Sequence, residues 1–159
     1  MPSQPDVSRS KSAPDLAREA TWFVAHSCLA LLLLAAVVLA ITLTHPGPND
    51  LGLKQATTLL AFVVPALGGM LIARWQQNAA ASAVWIAGVL FFSFVCLWVL
   101  ELPTGRGMCQ GCGPAEKLYR TFFSMQHGSG LMDGDGLLVG SWVPLSLVGY
   151  ALGARLSLR

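Results

Sequence analysis

Charge is what this chain lacks. Asp, Glu, Lys and Arg make up only 11% of its 159 residues, against roughly a quarter in a typical soluble domain. So little charge cannot give a globule of this size a water-compatible surface, which excludes an ordinary soluble domain. The shortage is also uneven. Residues 22–44 hold one histidine, His26, and no formal charge, while 56–73 and 79–100 hold no ionisable carboxylate or amine at all. Basic runs are missing too, and the net charge is only +2, so nothing is in place to neutralise a nucleic-acid backbone. No A-x-A site stands ahead of Pro46 and the first apolar block is too long for an h-region, so the N-terminal part does not read as a cleaved signal peptide.

What is present is hydrophobic sequence in blocks, 54% of the chain. A helix needs roughly 20 apolar residues to cross a bilayer core. Blocks 22–44, 56–73 and 79–100 meet that length. A fourth, interrupted by Gly140, Pro144 and Gly149, reaches it as 137–154 if Arg155 extends to the interface. The pattern predicts an all-α integral membrane bundle of about four transmembrane helices (residues 21–159), preceded by a disordered polar tail over 1–20. The Pro-Gly-Pro-Asn-Asp cluster ending at Asp50 marks the first turn and 74–78 a tight second one. The only long connector, 101–136, is expected to carry a short interfacial helix.

Lys and Arg are distributed six against four. Arg9, Lys11, Arg18, Arg74, Arg155 and Arg159 fall on the side of the termini, and Lys54, Arg106, Lys117 and Arg120 on the other. The bias favours both termini in the cytoplasm, with the protein in the cytoplasmic (inner) membrane and the long connector facing out. Trp22, Trp75, Trp98 and Trp142 lie near span ends, as interfacial belts require. Close helix contact in lipid needs small residues. Gly149-x-x-x-Gly153 supplies them in the fourth span, with Gly69 and Ala73 a weaker motif in the second. That face serves either packing within the bundle or contact with another membrane subunit. Pro65 and Pro144 each remove a backbone donor and are candidate kinks.

The connector concentrates the chemistry. Cys109-Gln-Gly-Cys112 brings two sulfurs close enough for a disulfide or for two ligands of one metal ion. Pro114 suits a first helical position, and a helix is expected to run from there to about Gln126, stopped by Gly128. Leu118, Phe122 and Met125 share one stripe, and Glu116 and Arg120 stand four apart. Such a helix either lies in the membrane interface or packs over the bundle mouth. Cys112 would precede its positive end, where thiolates are favoured. Three readings stay open: a structural disulfide, a redox-active pair, or a metal site on Cys109, Cys112 and His127, with Asp133 or Asp135 in reach. No second C-x-x-C exists to complete a zinc site.

The remaining candidates lie in the spans. Cys28 and Cys96 are expected at different depths and read as small core residues, although Cys96 is placed to approach the connector pair as a resolving thiol. His26 is the one ionisable residue well inside a span, and such residues are functional candidates. A haem would want a second buried histidine, and none is there, so a neutral His26 hydrogen-bonded across the bundle is expected. Met132-Asp-Gly-Asp-Gly136 lacks the downstream Glu of a calcium loop.

The connector resembles that of a family of small bacterial membrane proteins of unknown function. Their signature runs Thr-Gly, Cys-Pro-Gly-Cys-Gly, Thr-Arg-Ala, an amphipathic helix, His-Gly and a Pro-bearing apolar span. Thr104-Gly105, Cys109-Gln-Gly-Cys112-Gly113, Arg120, His127-Gly128 and the stretch ending at Pro144 carry the likeness, over roughly the last third of the chain. Gln110 stands where the signature has Pro, and the gap to Arg120 is longer by about one helical turn. The resemblance implies a bacterial membrane location and a Cys109, Cys112, Arg120, His127 constellation, but no reaction. Three functions are therefore expected in competition. The first is a membrane thiol–disulfide protein cycling Cys109 and Cys112, with Arg120 or His127 stabilising the thiolate. The others are an accessory subunit of a membrane complex with structural cysteines, and a metal-handling protein. The lipid bilayer is the expected partner, and no cofactor is identified.

Overall fold

The computed structural model describes residues 13–44, 51–76, 78–101, 111–123 and 138–158, and among them every regular element is helical. In chain order these are α1 (Ala13–Thr44), α2 (Leu51–Trp75), α3 (Ala79–Ala83), α4 (Trp85–Glu101), α5 (Pro114–Phe122), a π-helical turn (Leu138–Trp142) and α6 (Val143–Ser157). Three helical stretches are long and apolar enough to cross a membrane: Pro14–Thr44, Leu53–Trp75 and Ala79–Glu101, the last being α3 and α4 joined through Val84.

The spans form because apolar helix formers run without interruption and their hydroxyls are satisfied locally. Ser27 Oγ donates to the Phe23 carbonyl (2.8 Å), Thr57 Oγ1 to Leu53 (2.7 Å) and Ser146 Oγ to Val143 (2.8 Å). A hydroxyl bonded back to its own helix presents no open donor to lipid. Only 22%, 28% and 22% of the three spanning windows is buried within the protein. Large apolar side chains such as Leu32, Leu43, Leu90, Phe94 and Leu97 consequently face outward. In water that surface would be an aggregation liability far beyond a few hundred Å²; against lipid tails it costs nothing.

The tail is shorter than expected. α1 begins at Ala13, so residues 13–20 are helical rather than disordered, while 1–12 lie outside the described residues. Pro14 near the helix start and Asp15 in its first turn suit that terminus. Extending an existing helix by two turns needs no new nucleation. Between α2 and α3 the tight turn holds, with Asn78 capping α3 by accepting from the Ala80 N–H at 3.0 Å. α2 runs through Pro65 as a single helix.

At the centre is the shortest spanning candidate. Eight of the 15 residues of α6 are buried, and it packs against α1, α2, α3 and α4. With the π turn it makes twenty consecutive helical residues. Small residues permit the approach. A Cβ on Gly153 would collide with the Ala66 carbonyl of α2, one on Gly149 would sit 2.5 Å from the Phe62 carbonyl, and one on Gly69 would collide with the Tyr150 carbonyl. Gly149 against Phe62 and Gly153 against Ala66 advance together along both helices, so α2 and α6 run parallel. The Gly149/Gly153 face is therefore used inside the bundle, not left open for a second subunit. Pro144 falls where the π turn passes into α6, inside the continuous helical stretch 138–157.

The main core cluster joins Ala30, Ala73, Ala81, Val84, Leu147, Tyr150, Ala151 and Ala154. A second cluster, Val95, Val99 and Phe122 with Phe91, Cys96 and Leu118, forms at the far end where α5 lies on α4. The bundle thus has two ends. One gathers the start of α1, the α2–α3 turn and the last turn of α6; the other carries α5.

Candidate functional site

The connector end is built around α5. Gly113 caps it in an extended conformation (φ −70°, ψ 168°) with no side-chain bond, and Pro114 follows. The helix stops at Phe122, with Phe123 as C-cap, about one turn short of the expected Gln126. It packs over the bundle rather than lying free in the interface. Thr121 and Phe122 are buried, the Phe122 ring meets Phe92 of α4 at 4.7 Å between centroids, and Leu118 joins the second core cluster. Tyr119 and Phe123, exposed and stacked at 6.2 Å, form its outward face. Gly140 allows this approach, because a Cβ there would lie 2.7 Å from the Thr121 carbonyl. Ser141 Oγ donates to the Phe122 carbonyl, and Trp142 Nε1 donates to Thr58 Oγ1 of α2 at 2.8 Å. α5 is thereby tied to α4 and to the π turn, which is itself bonded to α2.

Cys112 is half-buried, one residue ahead of the Gly113 cap. The first N–H groups of α5 receive no side-chain cap there, so the positive end of the helix is turned toward the residues that precede it. The free thiols among the described residues are Cys28 and Cys96; Cys112 is not one of them. Its companion Cys109 and the other candidates His127, Asp133 and Asp135 lie outside the described residues.

Arg120 is committed elsewhere. Its Nη2 and Nε both donate to Glu116 Oε1, at 2.7 and 3.1 Å. The pairing expected from the four-residue spacing is present, and it engages the guanidinium one to two turns away from Cys112. Cys96 packs among Val95, Val99 and Phe122 beneath α5, as a core residue does. Cys28, expected in the core, is instead exposed on the outer face of α1. A thiol is apolar enough for that position. Among the described residues no three His, Cys, Asp or Glu side chains converge on a metal-sized point.

Beside α5 lies an apolar cavity of about 330 Å³, lined by Thr58, Phe92, Phe122, Phe123, Ser141 and Pro144 among others. Its two hydroxyls are already spent, Thr58 on the Lys54 carbonyl and Ser141 on Phe122. It offers shape and aromatic surface but no free hydroxyl donor.

At the other end His26 is buried, 3% exposed, with its Nδ1 hydrogen-bonded to Tyr150 Oη at 2.8 Å and its ring stacked on Trp22. This is the cross-bundle bond expected of a neutral histidine. Nothing along the chain points to Tyr150 as the partner, because the two lie 124 residues apart. His26 Nε2 has no hydrogen-bond partner among the described residues.

A helical bundle with three membrane-length apolar spans and a cysteine-bearing cap at one end is the class of protein this arrangement defines. No family model matches the chain, and neither a curated protein nor a solved structure does.

Proposed function

We propose that this is a four-crossing inner-membrane protein that carries a Cys109–Cys112 thiol–disulfide couple on the outer membrane surface. The observation that carries the reading is the place of Cys112: half-buried at the uncapped positive end of α5, outside the set of free thiols, on a helix docked across the bundle end. A thiolate there is favoured over one in open solvent, because the positive end of the helix dipole faces it.

The fourth crossing is α6 with its π turn. Twenty residues at 1.5 Å each span about 30 Å, the thickness of the hydrocarbon core. With it, α5 sits opposite both termini, and the Lys and Arg bias assigns the termini to the cytoplasm. The couple then faces an oxidising compartment, where disulfides persist.

The chemistry is exchange. The Cys112 thiolate attacks a partner's disulfide, forming a mixed disulfide and releasing one partner thiol. Cys109 then attacks Cys112 Sγ, giving the Cys109–Cys112 disulfide and the second partner thiol. Two electrons and two protons pass from this protein to the partner, and the reverse sequence oxidises a partner dithiol. The tie from Arg120 to Glu116 leaves the α5 terminus, not Arg120, as the source of thiolate stabilisation. The metal reading rests on Cys109, Cys112 and His127, of which Cys112 alone is among the described residues. Use of the cysteines only as a brace for an accessory subunit loses one of its motives, because the Gly149/Gly153 face packs on α2.

A redox titration of the purified protein, read by thiol trapping and mass spectrometry, tests the proposal. The Cys109–Cys112 pair is expected to titrate between about −120 and −270 mV, the range of exchange-active pairs. A pair that stays locked to below about −300 mV is a structural disulfide and ends the redox reading. Bound stoichiometric zinc or copper would replace it with metal handling.

A further inference from the structure

At the end of the bundle away from α5, a cleft of about 190 Å³ opens between α3, α4 and α6, lined by Ser82, Trp85, Val148, Ala151, Leu152 and Arg155. It has one cation and no acid in its lining. The Arg155 guanidinium and the Trp85 indole N–H have no hydrogen-bond or ion-pair partner among the described residues. Ser82 has spent its hydroxyl on the Ala79 carbonyl at 2.8 Å. The rest of the wall is apolar and faces outward through Val148 and Leu152.

Trp85 is the first residue of α4, and Arg155 lies in the last turn of α6. Arg155 therefore stands at a helix end, the depth at which lipid headgroups meet the hydrocarbon, while Trp85 lies almost two turns inside the joined span Ala79–Glu101. The C-terminal dipole of α6 accounts for a cation in its last turn, but not for a tryptophan with an unused indole donor in the wall of the same cleft. An arginine presents a planar fork of N–H groups matched to phosphate oxygens, and the indole adds a third donor. The volume is too small for a whole phospholipid and suits a headgroup, with the acyl chains running along Val148 and Leu152.

We propose that this cleft is a binding site for the phosphate of an anionic phospholipid, held by Arg155 and Trp85. An anionic lipid is favoured over a zwitterionic one because the lining has no carboxylate to pair with a headgroup ammonium. The site rests on the membrane reading of the chain and is independent of the cysteine chemistry.

The test uses the full chain, stripped of lipid in mild detergent and examined by native mass spectrometry after adding phosphatidylglycerol, phosphatidylcholine or inorganic phosphate. One phosphatidylglycerol is expected to bind in preference to phosphatidylcholine. Arg155→Gln should weaken it about tenfold, the scale of one charge-assisted hydrogen bond. Trp85→Phe should weaken it less, and Arg74→Gln, which removes an exposed charge at the same end, should leave it unchanged. Equal binding of both lipids, or equal losses in Arg74→Gln and Arg155→Gln, overturns the proposal. Displacement by millimolar inorganic phosphate identifies a free-anion site and overturns it as a lipid site. All three variants change exposed side chains, so thermal unfolding in detergent should match the parent protein and keep a binding loss interpretable.

Discussion

His26 and Tyr150 show what a single pair of residues does here. The bond between them, 2.8 Å long and buried, fixes α1 against α6 at the end where the termini lie. The sequence marks His26, since an ionisable residue in an apolar run stands out. It does not mark Tyr150, which looks like one more aromatic in a span. The same limit applies to Cys28: hydrophobicity says that it avoids water but not whether it meets protein or lipid. Side-chain hydrogen bonds between membrane helices are worth about 0.6–2 kcal/mol. A double-mutant cycle of His26→Phe and Tyr150→Phe, measured by unfolding in mixed detergent micelles, should give a coupling in that range. Additive losses would mean that the two side chains act independently.

Among the elements, α6 carries the bundle, and its role was only half legible. Gly149-x-x-x-Gly153 announces close packing, but the motif does not name its partner, and a face prepared for a second subunit would read the same. The geometry decides for α2, because the Phe62 and Ala66 carbonyls occupy the places a side chain would need. Replacing Gly153 by Ala should lower unfolding stability in detergent by about 1–3 kcal/mol, the usual cost of overpacking. Gly113→Ala, where nothing lies within 4 Å of the added carbon, is the control and should change stability far less. Equal effects would show that α2 and α6 do not meet through Gly153. The other elements diverge from expectation for local reasons. α1 runs back to Ala13 because helix extension is cheap once the span is formed, and α5 ends at Phe122, where its core-facing residues are already buried.

At the scale of the molecule, among the helices that could cross the membrane, the least buried are the longest and the most buried, α6, is the shortest. Three long spans turn most of their surface outward and enclose α6, whose small residues let them approach. The three long spans were readable because the absence of charge is itself the signal. The central position of α6 was not, since burial by protein and burial by lipid select the same side chains. The cap formed by α5 was legible as a helix from Pro114 and the Glu116–Arg120 spacing. Its docking was not, because it depends on Gly140 and Ser141 arriving from a distant part of the chain.

Orientation ties these scales together, since the proposed chemistry requires the cysteine pair and the termini to be on opposite sides of the membrane. Intact spheroplasts treated with mild reductant and then with a membrane-impermeant maleimide test this directly. Variants retaining Cys109 and Cys112 should be labelled without lysis. A Ser10→Cys variant lacking the native cysteines should be labelled only after the membrane is opened. Labelling of both from the same side, or of Cys109 and Cys112 only after lysis, would contradict the account.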